Sequence, residues 1–211
     1  MYTEEDKKLA RQLLSHSVEL KPGEKIMIQC IGLNAIGLVR ALAKQVRELA
    51  AHPFLKIEDP ETNRMLLESG DEEFWTLQTE TDQLPLMKQM DAFIGIRASE
   101  NIYENTDVSQ KANKAYSDFF LHPVHFEERV NHTNWAVLRY PSPAFAMNAK
   151  MSTERFREFY YKACLFDYNL LEEAMKPLEE RTEENRHDSS ARRRNEYPVF
   201  GKRPELDSLL W

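Results

Sequence analysis

The sequence predicts an α/β fold: a parallel sheet of about four or more strands with helices on both faces, followed by a long helix. Three observations carry this. Short, mostly apolar runs of strand length alternate with stretches whose apolar residues recur at helical spacing. The first such run, residues 25–31 (KIMIQCI), is apolar nearly throughout, as suits a strand covered on both faces. The order is helix first, then strand and helix in alternation, the signature of a parallel sheet whose crossovers chain chirality makes right-handed.

Each element has its own reason. Thr3 and Asp6 form a capping-box pattern, and Ala10, Leu13, Leu14, Ser17 and Val18 then share one helical face. Lys21, Pro22 and Gly23 stop that helix before the first strand. Residues 32–37 (GLNAIG) make the strand-to-helix turn, and Leu38, Val39, Leu42, Ala43, Val46 and Leu49 stripe the next helix. Residues 52–57 form the second strand, closed by the acidic turn 58–61. A polar helical stretch follows over 63–90, with breaks expected at Gly70 and Pro85. Residues 91–97 form the third strand and 99–107 a polar loop. Residues 109–130 are helical with a break expected at Pro123, and 135–140 form the fourth strand. Ser152 caps a long helix whose apolar positions run from Phe156 to Leu178, with Pro177 expected to kink or end it near Lys176. Two domains result: the α/β domain over 1–182, and a tail over 183–211 that is expected to be flexible.

The 211 residues suffice for one well-buried core. A net charge of -7 and a pI near 5.5 argue against a nucleic-acid partner. No apolar run approaches the ~18 residues that span a bilayer, so no membrane partner is expected. The acidic N-terminus lacks the pattern of a secretory signal. Cys30 and Cys164, far apart in apolar surroundings, read as reduced thiols, and the expected compartment is cytoplasmic.

In parallel sheets ligands collect at the carboxyl ends of the strands, so any site here should draw on residues 32–37, 58–63, 97–107 and 140–147. No catalytic constellation is legible in them. The 32–37 turn lacks the Lys and Ser/Thr of a phosphate loop, because Leu38 and Val39 follow Gly37, and it lacks the third glycine of a dinucleotide fingerprint. His122, His125 and His132, with Glu127 and Glu128, are the densest metal-ligand candidates. His122 and His125 are three apart across Pro123, not four apart on one helix face. Glu100, Glu104 and Asp107 read as a solvated loop, Phe74 and Trp75 as anchors of a polar segment to the core. No residue is assigned as catalytic or metal-binding, and substrate-binding residues stay unassigned.

Five segments in order carry a resemblance: SVELKPGEKIMIQ, LVRALAKQVRELAAHPFLKI, DAFIGIRASENIYENTDVS, RYPSPAFAMNAKMS and YYKACLFDYN. Together, over about residues 3–180, they resemble the amino-terminal half of the dinuclear metallo-aminopeptidases of the aminopeptidase T, PepS and AmpS group. The resemblance implies a cytoplasmic homodimer that removes amino-terminal residues from peptides, using two divalent metals (zinc, cobalt or magnesium) to activate water and polarise the scissile carbonyl. It also implies that the metal ligands belong to the carboxyl-terminal half, so no residue here inherits a ligand role and no metal is expected on this chain. The amino-terminal domain would then enclose the substrate chamber and support assembly.

The tail departs from the family, which continues into a Gly-rich strand region. Permitted codons for residues 199–211, read one nucleotide later, spell FSVKGLNWIPCYG, similar to the family's continuation. The expectation is a frameshift around residues 180–186 that leaves the polypeptide inactive alone, which the gene's nucleotide sequence tests. Two rivals stand beside this reading: a non-catalytic module of α/β type for small-ligand binding or assembly, and a nucleotide-dependent enzyme resting on residues 32–37.

Overall fold

The computed structural model describes residues 2–166, 170–171, 173–178 and 181. Helix α1 (Glu4–Gln12) begins with the expected capping box: Thr3 Oγ1 accepts from the Asp6 N–H, and Asp6 Oδ2 accepts from the Thr3 N–H, each at 3.1 Å. One wider i→i+5 turn, Leu13–Ser17, finishes it. Gly23, at φ +85°, turns the chain into β1 (Lys25–Ile31), whose central five residues are all buried. A short turn leads to α2 (Ile36–Glu48) and then β2 (His52–Glu58).

Asp59 caps α3 (Pro60–Ser69), with Pro60 at a position where no N–H is required. Gly70 separates α3 from α4 (Glu72–Gln78) as expected, and a Cβ there would lie 2.5 Å from Trp75 Nε1. The break expected at Pro85 does not occur. Wide turns over Thr79–Gln83 carry the chain into α5 (Leu84–Met87), and Pro85 falls in that helix's first turn. After β3 (Ala92–Arg97) comes α6 (Gln110–Tyr116), and here too the expected break is absent. Pro123 lies inside a run of i→i+5 turns, Ser117–Arg129, that continues into α7 (Val130–His132). A widened turn moves aside the carbonyl that a proline ring would strike.

Strand β4 (Asn134–Arg139), α8 (Pro143–Asn148) and α9 (Thr153–Cys164) complete the domain. Ser152 caps α9 as expected, but the helix closes at Cys164 instead of running on to Lys176. Leu165 leaves helical geometry and packs on the core, and Gln12 Nε2 donates to the Phe166 carbonyl at 3.4 Å. Residues 167–211 form a second unit, in which residues 170–171 and 173–178 are again helical, through Pro177. The expected tail, 183–211, lies outside the described residues.

The four strands are all parallel, in the order β2-β1-β3-β4. One sheet face presents Ile26, Ile28, Ile94 and Ile96 to α1 and α2, forming the main core. The other presents Met27, Gln29, Phe93 and Arg97, in register with Phe54, Lys56 and Glu58. Met87, Met90 and Val124 cover it, with a satellite cluster around Trp75 and Phe120. Helices therefore lie on both faces of a parallel sheet. No helix among the described residues is long and apolar enough to cross a membrane.

Candidate functional site

In the order 2-1-3-4 the chain's progression across the sheet reverses between β1 and β3, and at their carboxyl ends such sheets ordinarily open a crevice. Here the main chain fills it. Gly32, at φ +92°, donates its N–H to the Glu58 carbonyl at 2.9 Å, and Ala98 donates to the Ile31 carbonyl at 2.7 Å. Asn34 Nδ2 donates to the Ala98 carbonyl at 3.2 Å. A Cβ on Gly32 would meet that carbonyl oxygen at 2.4 Å. A phosphate would face a carbonyl oxygen instead of a cradle of N–H groups, and Gly37 lies within α2, so the nucleotide reading of residues 32–37 fails on geometry. Beside the turn, Cys30 donates its Sγ–H to the Gly32 carbonyl at 3.2 Å, and burial pushes its thiol up to about 11.

The densest polar group lies just behind this seal, on the second sheet face. Glu58 Oε1 accepts from Gln29 Nε2 at 2.6 Å and stands 3.7 Å from Lys56 Nζ; Oε2 accepts from Asn63 Nδ2 at 2.7 Å. Lys56 also donates to Gln83, and Arg97 donates to Gln29 Oε1 at 3.3 Å. Burial lowers the pKa of the Arg97 guanidinium, and burial followed by the Glu58 charge pushes Tyr116 up to about 12. Both Glu58 oxygens are occupied by donors, which suits a brace between β1, β2 and α3 better than a base or a nucleophile. Sequence reasoning missed this group. Its signal was polar residues near the ends of otherwise apolar strands, at 29, 56 and 97, which strand register alone brings together.

The remaining strand-end segments are also tied down. Arg64 donates to the Glu104 carbonyl and to Asp107, and it pairs with Glu68 at 2.7 Å, fastening the 97–107 loop to α3. Glu104 accepts from Asn101 at 2.9 Å, so the acidic loop is internally bonded. Ser142 is fully buried; it caps α8 and donates to the Ser99 carbonyl at 3.3 Å. A second missed group links the termini of the domain: the Tyr140 and Tyr161 hydroxyls each donate to Asp6 Oδ1 at 3.0 Å.

The structure does not assemble the histidines. His122 meets Glu127 at the surface at 3.2 Å, whereas His125 is buried and accepts at Nδ1 from Arg129 Nε at 3.2 Å. Arg129 in turn lies between the rings of Phe93 and Trp135. Trp75 is buried among Phe74, Tyr116 and Phe120, the anchoring role expected of it. Both cysteines are free.

The parallel four-stranded sheet with helices on both faces defines an α/β protein, and the order of the segments quoted above resembles a metallo-aminopeptidase family. The family model of the thermophilic metalloproteases (M29) matches residues 2–187, and the chain belongs to that family. Among solved structures, wild-type AmpT from Thermus thermophilus matches over 76% of this chain, with a TM-score of 0.56 and 15% identity, a likeness of fold. This chain spans 42% of the length of that structure. No curated protein sequence matches it closely enough to count as a relative.

Metallopeptidases of this family use divalent metals. Among the described residues no group of three His, Cys, Asp or Glu is placed to hold one. The buried candidates are already committed: Glu58 to its donors, His125 to Arg129, Asp6 to two tyrosines. The described donor set does not fit a metal centre.

Proposed function

We propose that this chain is the amino-terminal α/β domain of a metal-dependent aminopeptidase, and that the 211-residue polypeptide alone does not hydrolyse peptides. One observation carries the reading: at the strand ends, where this fold would bind a substrate or a metal, the main chain closes the crevice and the polar side chains bond one another. Such a domain supplies a rigid wall to a partner half that brings the zinc, cobalt or magnesium pair and its ligands. Peptide substrate, cytoplasmic location and a homodimeric assembly belong to this reading of the whole enzyme.

Aminoacyl p-nitroanilides and short peptides, assayed with each of the three metals, should turn over no faster than the metal-only blank. Turnover well above the blank would overturn the reading. A thermal-shift series with the same metals should show no stabilisation, whereas stabilisation by a nucleotide or metabolite would favour a small-ligand module instead.

A further inference from the structure

The second sheet face carries more positive charge than negative among the described residues. The charges of Arg129, Arg97 and Lys56 all act on His125, so these cations share one neighbourhood. Glu58 is the carboxylate beside them, and it is spoken for: it stands 3.7 Å from Lys56 and accepts from Gln29 and Asn63. Asp82 bonds Gln83 at the exposed rim, and Glu127 turns to His122. Arg97 donates to the amide oxygen of Gln29 at 3.3 Å, and Arg129 to the neutral His125 ring at 3.2 Å. Neither guanidinium meets a carboxylate among the described residues.

Arg129 is the more exacting case. It is 5% exposed, and its Nη1 is buried without a hydrogen-bond partner among the described residues. Phe93 and Trp135, neighbours across β3 and β4, hold its guanidinium carbon 5.1 and 4.5 Å from their ring centroids. Those ring faces attract the cation and leave the Nη1 protons unanswered. Burial, then the Arg97 charge, pulls its pKa down to about 10, so the group is still charged at neutral pH. A buried N–H and a buried charge are each costly unless answered. Water would answer the first alone; an anion answers both.

We infer that a small monovalent anion of the chloride class lies against Arg129 Nη1, beneath β3 and β4. A phosphate or sulfate asks for several converging donors. One guanidinium nitrogen beside aromatic rings, whose edges are positive, suits a weakly hydrated monoanion instead. Trp135, 39% exposed, is the side chain that such an ion passes on its way in. The ion neutralises one of the two guanidinium groups that Glu58 does not reach.

The full chain tests this directly. Raising chloride from about 1 to about 200 mM, with gluconate holding ionic strength constant, should lift the thermal midpoint by about 3 °C or more along a saturating curve. The chlorine NMR line should broaden in the presence of the chain. Arg129→Met should abolish both effects, whereas Lys114→Gln, which removes a surface cation, should keep them. Bromide-soaked crystals of the unmutated chain give an answer even where Arg129→Met does not fold: an anomalous peak should stand within hydrogen-bonding reach of Nη1. A midpoint indifferent to chloride, a stabilisation that survives Arg129→Met, or a bromide map without a peak at Arg129 would each overturn the proposal and leave a buried water there.

Discussion

His125 lies under the sheet with its Nδ1 accepting from Arg129, a contact that only the neutral ring makes. Burial, then the charges of Arg129, Arg97 and Lys56, lower its pKa to about 3, below the ~6.5 of an unfolded histidine. Between those values the unfolded chain takes up a proton that the folded chain refuses. This group therefore costs nothing above about pH 6.5, and stability falls as pH drops toward 3. At pH 5 the loss is about 2 kcal/mol. Urea midpoints measured from pH 5 to 7.5 should slope upward, and His125→Asn, which keeps an acceptor but does not titrate, should flatten them. A slope unchanged by the substitution would assign the effect to carboxylates. At Gly32 the obstacle is steric as well as conformational: Gly32→Ala should cost about 3 kcal/mol or more in urea denaturation, from the positive φ and the collision with the Ala98 carbonyl together. The glycine was legible as a turn; the carbonyl pressed against it was not, because Ala98 comes from a different strand end. Asp6 shows the same limit. Its cap on Thr3 is local and was readable, whereas the tyrosines it also serves lie 134 and 155 residues away. Tyr161→Phe should cost about 1 kcal/mol and Asp6→Ala about 2–3 kcal/mol, because the latter removes the acceptor of the buried Tyr140 hydroxyl and of the half-buried Tyr161 hydroxyl.

Among elements, β1 and β3 were the clearest to read, because burial on both faces leaves an unbroken apolar run. Helix starts were nearly as clear at Thr3 and Ser152, where a short polar side chain accepts from the first turn, whereas the cap at Asp59 was read as part of an acidic turn. The helices around Pro85 and Pro123 were misread for a physical reason. A widened turn absorbs the missing N–H and the ring, and nothing in residue type announces it. The length of α9 was misread because apolar spacing continues past the point where Leu165 turns inward. Ser142 joins two elements at once, capping α8 and bonding the loop after β3. Ser142→Ala should cost about 1–2 kcal/mol, more than a surface cap, because the site is fully buried. A loss within error would mean that α8 holds its place by packing alone.

For the molecule as a whole, the fold class was legible while the strand order was not: unbroken apolar runs mark β1 and β3 as inner strands and Pro53 suits an edge, but nothing local says which strand lies beside which. The two missed polar groups are products of that order, which is why no local pattern revealed them. Met147 on α8 and Phe159 on α9 are 78% and 59% exposed, apolar surface that water does not favour. Met147→Lys and Phe159→Lys should leave stability within about 0.5 kcal/mol and lower the fluorescence of a bound hydrophobic dye. Undiminished dye binding would place the accessible apolar surface elsewhere. The order 2-1-3-4 also has a consequence for synthesis. β1 and β2 can pair as soon as residue 58 has left the ribosome, yet the inner edge of β1 stays bare until β3 arrives, because the next strand to be made must cross back over it. Fragments ending between residues 58 and 90 should therefore aggregate, whereas those extended past residue 140 should stay in solution. In a growing chain, the meeting of Gly32 with Ala98 marks the moment when that danger passes.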